Sequence, residues 1–344
     1  MAAKKIQTSP DGITYTTLPG NSGSVSSEGA LIDDTIFGYN FESQFVNLIN
    51  WKLEANGLFK GLAGYQVGLK KSGTPTTMTA EACSLVSGKT YKITNAAHAV
   101  MDPATVPVVK GNAIVIANSN ILNIDYLFGT VTFIPAYTPT TPITIDGKYL
   151  PMTVIGGAKT FNLQLSCSTI DTTTIAAAQA NGGLRTYDYG LRNVGLDLTD
   201  VYAVSNGALA ALLSRGVVVA EICPDNSALA VARGFFNYAK QSQSGNVGDL
   251  EMEQVTLNGY VPDIANMLAP FSWSISGSST LNVSLQTAIT CWQNGAVCYQ
   301  KYMPDGVTGV SGQGVVTDIS LSGGLEAMNE FTVNIQGSGA LTAF

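Results

Sequence analysis

The sequence predicts a mainly β chain of the α+β class, and three observations predict it. Short runs rich in Val, Ile, Thr and Tyr alternate apolar with polar residues between Gly, Pro, Asn and Asp, the pattern of half-buried strands joined by turns. One compact helical pattern, Asn206 to Arg215, lies among these runs, and strands that pair mainly with each other beside one helix make a small α+β unit. The same order of helix, turn and strand then returns in the C-terminal third, and internal self-similarity constrains architecture more tightly than a single motif.

Residues 1–30 are rich in Gly, Ser and Thr and interrupted by Pro10 and Pro19, which reads as an extended N-terminal arm. Residues 31–72 follow. They contain Ile32-Asp33-Asp34-Thr35 and the alternating run Asn50 to Phe59, which sets Trp51, Leu53 and Ala55 on one side. Both pieces have echoes further on, in Ile170-Asp171-Thr172-Thr173 and in Asn193 to Tyr202. The segment therefore either belongs to the same repeat family or completes the C-terminal copy. Residues 73–154 change texture. Short strands such as Lys89 to Thr94, Ala113 to Ala117 and Gly129 to Ile134 alternate with turns, predicting a small β-domain inserted beside the repeats or decorating them. Thr79 to Leu85 is its only helix-like piece.

Residues 155–263 form the central unit. Asn162 to Ser168 alternates as a strand, and Ile175 to Ala180 is either one helical turn or a flap before the Gly182-Gly183 turn. Leu191 to Tyr202 is strand-like. In Asn206 to Arg215, Leu209, Leu212 and Leu213 recur at helical spacing, with Ser205 or Asn206 as N-cap, Gly216 as the residue after the helix, and the apolar face expected against the sheet. Three further strands, Val217 to Cys223, Val231 to Gln241 and Leu250 to Gly259, complete the unit. Residues 264–344 repeat it. Leu209-Ala-Ala-Leu-Leu-Ser-Arg-Gly216 and Pro224-Asp225 are answered by Thr287-Ala-Ile-Thr-Cys-Trp-Gln-Asn-Gly295 and Pro304-Asp305, at offsets of 79 for the glycines and 80 for the prolines.

Charged residues are 12% of the chain, well under the usual ~25%. With a mean hydropathy of +0.20, that composition suits either a subunit that hides surface against neighbours or an ordinary low-charge β-protein. A net charge of −7 argues against gripping nucleic acid through its phosphates. Five scattered cysteines without a CxxC pair fit a reducing compartment, the N-terminus lacks a secretory pattern, and no apolar run is long enough to span a membrane. A single histidine, His98, has no second ligand at metal spacing, and no nucleophile elbow, phosphate loop or dinucleotide fingerprint is present. The reading is a non-enzyme with no catalytic residue, cofactor or metal. Trp51, Trp273 and Trp292 could stack on sugars, but apolar patterning makes core packing the commoner use.

The order Ile170-Asp171-Thr172-Thr173, Gly182-Gly183, Gly190 to Leu198, helix, Val217 to Pro224-Asp225, Gly234 and Gly248 to Leu257 resembles the major tail tube proteins of long-tailed (siphovirus-like) bacteriophages. Looser likeness runs over 268–344, Gly29 to Phe37, Ser87 to Thr94 and Asp125 to Phe133. The resemblance implies tandem β-sandwich or barrel-like tube modules at 155–263 and 264–344, each flanked by one α-helix, with 31–72 completing a module and 73–154 outside. It implies self-assembly into stacked rings, a trimer with pseudo-sixfold symmetry or alternatively a hexamer, in the virion tail after assembly in the host cytoplasm. It also implies tape-measure, terminator and baseplate partners, no membrane, and double-stranded DNA passing through the lumen unbound. A different phage structural β-protein, or a glycan-binding adhesin-like module, is the competing reading.

Within that reading the acidic lumen lining falls to Glu251, Glu253, Glu326 and Glu330, against the alternative of a solvated strand end. Ring contacts fall to the hairpin tips and to Asp171, Thr172, Thr173, Tyr187, Tyr189 and Asp249.

Overall fold

The computed structural model describes residues 5–18, 20–33, 44–58, 68–155, 158–201, 208–223, 230–245, 251–262, 271–275, 283–324 and 327–344. Strands β1 (Lys5–Ser9), β2 (Thr16–Thr17), β3 (Gly20–Asp33) and β4 (Gln44–Leu58) open the chain. β5 (Gly68–Ser72) leads into β6 (Thr76–Ser87), β7 (Thr90–Ile93), β8 (Val108–Gly111), β9 (Ile114–Val115), β10 (Ile121–Asp125), β11 (Thr130–Phe133) and β12 (Ile143–Tyr149). Next come β13 (Met152–Val154), β14 (Ala158–Asp171), α1 (Ile175–Ala180) and β15 (Tyr187–Val201). Then follow α2 (Ala208–Ser214), β16 (Val217–Cys223), β17 (Ala230–Ser244), β18 (Met252–Gly259) and β19 (Phe271–Ile275). The chain closes with α3 (Val283–Asn294), β20 (Cys298–Met303), β21 (Val310–Gly324) and β22 (Ala327–Ala343). The mainly β prediction holds.

Two compact units result, one from residues 1–65, 162–195 and 279–344, the other from 66–161 and 196–278. In the first unit the strand order is β3-β4-β22-β21-β20-β1-β2, with β14, whose residues from Asn162 on belong to this unit, also on β21. Its core alternates as the sequence requires. Trp51, Leu53 and Ala55 of β4 are buried and face inward with Phe331, Val333 and Ile335 of β22 and Leu285, Ala288 and Ile289 of α3. Trp51 Nε1 donates to the Gly339 carbonyl at 3.2 Å. Close approach there requires glycine, since a Cβ on Gly337 would stand 2.0 Å from the indole.

Residues 5–9 and 20–30, read from the sequence as part of an extended arm, lie in ladder strands. Ile6 pairs with Tyr302 and Val25 with Leu53. A Gly- and Ser-rich composition does not prevent pairing when a partner edge supplies the backbone hydrogen bonds.

In the second unit the order is β13-β5-β16-β17-β18-β15, with β19 on β17. A separate seven-stranded sheet, β10-β11-β7-β6-β12-β8-β9, belongs to this unit. Its Phe133, Ile143 and Ile145 share one core with Val219, Cys223 and Phe235 of β16 and β17. Thr79 to Leu85 is strand, held in β6 between β7 and β12, so the helix-like texture there is overridden by pairing on both edges. Helix α2 buries Ala208 but leaves Leu209 and Leu213 exposed, so its leucines do not all face the sheet as periodicity suggested. A helix of seven residues is too short to lay a full apolar stripe on one surface.

The structure also corrects the repeat's register by one residue. Helices α2 and α3 end at Ser214 and Asn294, and β17 and β21 run Ala230–Ser244 and Val310–Gly324, an offset of 80 throughout. The left-handed residue after the helix is Arg215 (φ 55°) in one copy and Gly295 (φ 63°) in the other. Gly216 and Ala296 then donate to the Ala211 and Cys291 carbonyls, both at 2.9 Å. Gly216 is therefore not the left-handed cap, and the matching glycines sit one position apart. The N-terminal strands extend the correspondence. β3 and β14 are each 14 residues long, offset by 138, and β4 and β15 are each 15, offset by 143.

Eight elements thus occur twice in one order, as β1, β2, β3, β4, α3, β20, β21, β22 and as β5, β13, β14, β15, α2, β16, β17, β18. In sequence the second set lies between the two halves of the first. Where a loop of six residues, 10–15, joins β1 to β2, residues 73–151 join β5 to β13 and contain the whole seven-stranded sheet.

Candidate functional site

The hairpin β14–β15 carries most of the residues expected at ring contacts. Asp171 ends β14, exposed, and its Oδ1 accepts from Thr173 N at 2.9 Å while its Oδ2 accepts from Arg185 Nη1 at 2.9 Å. The Thr173 hydrogen bonds, then Arg185, hold this carboxyl below the usual aspartate range. Thr173 Oγ1 donates to the Thr186 carbonyl at 3.3 Å, and Thr172 Oγ1 to Thr186 Oγ1 at the same distance. Thr174 caps α1 by accepting from Ala177 N at 3.1 Å. Residues 175–180, open between helix and flap in the sequence, are helix, and Gly182 and Gly183 (φ 66° and 85°) turn the chain back.

Tyr187 and Tyr189 are fastened within the first unit. Tyr187 N donates to Ser338 Oγ at 2.8 Å and its hydroxyl to Asn50 Oδ1 at 2.6 Å. Tyr189 donates its hydroxyl proton to the Ala296 carbonyl at 2.9 Å and accepts from Val316 N at 3.0 Å, and burial pushes its pKa up. These two side chains brace the hairpin; Asp171 and Thr172 at its tip are the exposed ones.

The expected lining residues divide. Glu251 and Glu330 are exposed. Glu326 and Asp249 lie outside the described residues. Glu253 is a correction, since it is 1% exposed and shares its strand face with buried Val255 and Leu257. Its Oε1 accepts from Gln241 Nε2 at 2.8 Å, and no described residue hydrogen-bonds its Oε2. Alternation correctly grouped Glu253 with the apolar end of β18; the grouping places it in the interior instead of in an acidic band. Asp200 is buried nearby, and burial, then the charge of Glu253, push its pKa up to about 6, opposed by Lys71. Burial lowers the Lys71 pKa, opposed by Asp200 and Glu253.

A second ionic group gave little signal in sequence. Glu221, 2% exposed, pairs with Lys70 Nζ at 2.7 Å and Arg233 Nη2 at 2.6 Å. The signal was a lone glutamate inside the apolar run Val217 to Cys223. His98 stacks on Tyr149 at 4.0 Å with Nδ1 2.7 Å from Glu81, a satisfied side chain. Trp51 and Trp292 are buried, which removes both as sugar platforms, and the Trp273 side chain lies outside the described residues. No group of three potential metal ligands occurs among the described residues, and no described helix is long and apolar enough to cross a membrane.

Against known proteins, no family model and no curated protein matches the chain. Similar solved structures include the tail of an empty gene transfer agent (GTA) particle refined with C6 helical symmetry. It is 14% identical over 37% of this chain and 87% of that one, with a TM-score of 0.29. The virion of a native GTA particle gives 14% identity over 37% and 89%, also at 0.29.

Proposed function

We propose that the chain is a structural subunit of a phage tail tube, which self-assembles into stacked rings around a conduit for double-stranded DNA. The observation that carries this reading is the double occurrence of one eight-element set in a chain whose residues 155–263 resemble major tail tube proteins. Two sets per chain let three chains supply six per ring, so the trimer is favoured over the hexamer. A low-charge surface suits a subunit enclosed by neighbours, and a net charge of −7 suits a wall that must not hold phosphates. Glu251 and Glu330 are the exposed carboxylates assigned to the lining. Asp171 and Thr172 at the β14–β15 tip are assigned to ring contacts, and the seven-stranded sheet to the outside of the tube. Tape-measure, terminator and baseplate proteins are the partners this role entails.

Negative-stain microscopy and native mass measurement of the purified protein test the reading. Rings or tubes with a repeating mass of about 108 kDa, three times 35.9 kDa, are expected. Isolated globules at every concentration, with glycan binding by the monomer, would support the adhesin-like alternative instead.

A further inference from the structure

One joint that the repeat defines twice is made once among the described residues. In the first unit β14 lies along β21, and Ser320 Oγ donates to Asn162 Oδ1 at 2.9 Å. Phe161, Leu163 and Leu165 of β14 are buried, as are Val315, Val316, Ile319 and Leu321 of β21. The counterparts of these strands are β3, 138 residues before β14, and β17, 80 before β21. Among the described residues β3 pairs with β4 alone; Ile6 of β1 packs on Gly23 and the Tyr302 hydroxyl reaches the Gly23 carbonyl at 3.5 Å, but no strand forms a ladder along its other edge. β16 pairs with β17 only as far as Asn237, so that among the described residues no strand pairs with 238–244 on that edge, while β18 covers the other.

Exposure follows the missing joint. Where β14 buries Phe161, Leu163 and Leu165, β3 has half-buried Gly23 and Val25 and exposed Ser27. Where β21 buries Ile319, Leu321 and Gly323, β17 has exposed Ala239, half-buried Gln241 and exposed Gln243. Proteins that must keep a long edge solitary blunt it with Lys or Pro. Residues 20–31 contain neither, and residues 238–244 contain one lysine, Lys240, and no proline.

We propose that β3 of one copy pairs with residues 238–244 of β17 in a second copy, making between chains the joint that β14 and β21 make within each. The occupant of both open edges is another molecule of this chain, and the contact is heterologous, so it propagates until a ring closes. This deepens the tube reading by naming the strands that join, and rests on it for the closed ring.

The repeat also supplies the test. Asn162 and Ser320 map onto Ser24 and Lys240, so Ser24→Cys combined with Lys240→Cys should give a reductant-sensitive ladder of dimers and larger species under mild oxidation. Neither single variant should do so. Hydrogen exchange on the unaltered protein is the second measurement: amides in 20–31 and 238–244 should slow at least tenfold in the assembled form relative to dilute monomer. Rings that form with neither cross-link nor protection would overturn the strand assignment and leave the tube standing. A chain that stays monomeric at every concentration would overturn both.

Discussion

Replacing Glu221 by Gln tests how the second unit is held together. Glu221 lies directly across from Arg233 on one neighbouring strand and from Lys70 on the other. At 2% exposure it is shielded from solvent, and Arg233 is 14% exposed. The guanidinium also donates to the Leu127 carbonyl at 2.8 Å and lies 4.8 Å from the Phe128 ring centre, so it cannot follow a lost partner into water without breaking other contacts. Removing the carboxylate leaves a buried cation uncompensated, which costs about 3–5 kcal/mol. Lys70 is 33% exposed and can rehydrate, so Lys70→Gln should cost about 1 kcal/mol or less.

Urea unfolding of both variants, monitored by peptide-resolved hydrogen exchange within residues 196–278, measures the difference. The pH dependence has a definite sign. Burial opposes ionisation of Glu221, but Arg233 and Lys70 outweigh it and hold its pKa below the ordinary 4.5. Its contribution is therefore complete above that value and lost as pH falls, so wild type and Glu221→Gln should converge in acid. A variant within about 1 kcal/mol of wild type at neutral pH would refute the reasoning.

Other expectations follow from single observations. Asp200, raised from 3.8 to about 6, favours the fold fully below its unfolded pKa and loses that contribution as pH rises through 6; Asp200→Asn should therefore gain stability relative to wild type between pH 4 and pH 8, read by thermal melts across that range. Gly337→Ala drives a methyl into the Trp51 indole and should cost about 3 kcal/mol with a shifted tryptophan emission, whereas Gly195→Ala, with nothing within 4 Å of the new carbon, should stay within about 0.5 kcal/mol. Arg215→Gly relieves a left-handed arginine after α2 and should stabilise the second unit by about 0.5–1 kcal/mol in urea titration.

Much of the repeat was legible because turn chemistry is local. A helix that ends in a left-handed residue and runs into an apolar strand, with Pro-Asp next in the sequence, leaves the same marks wherever it occurs, so residues 206–225 and 287–305 announce each other in the sequence. The one-residue slip came from trusting glycine as the marker. Arg215 tolerates the left-handed position in one copy, so the two glycines are not equivalent. The site was less legible. Alternation gave the correct face for Glu253 but could not say which face meets the core, and Tyr187 and Tyr189 are tied down by Ser338, Asn50, Ala296 and Val316, far away in sequence.

From sequence alone came the mainly β class, a helix placed within 206–215, the shared side of Trp51, Leu53 and Ala55, and the kinship of Ile32-Asp33 with Ile170-Asp171. Each of these depends on neighbours within a few residues, where side-chain period and turn preference act. Tertiary structure alone decided that β4 pairs with β22, which joins the N-terminal strands to the C-terminal ones, and that, among the described residues, β3 and the end of β17 keep an edge without a paired strand. Strand pairing is made by backbone groups every residue possesses, so the sequence tells which side of a strand is buried and is silent on which strand lies next to it.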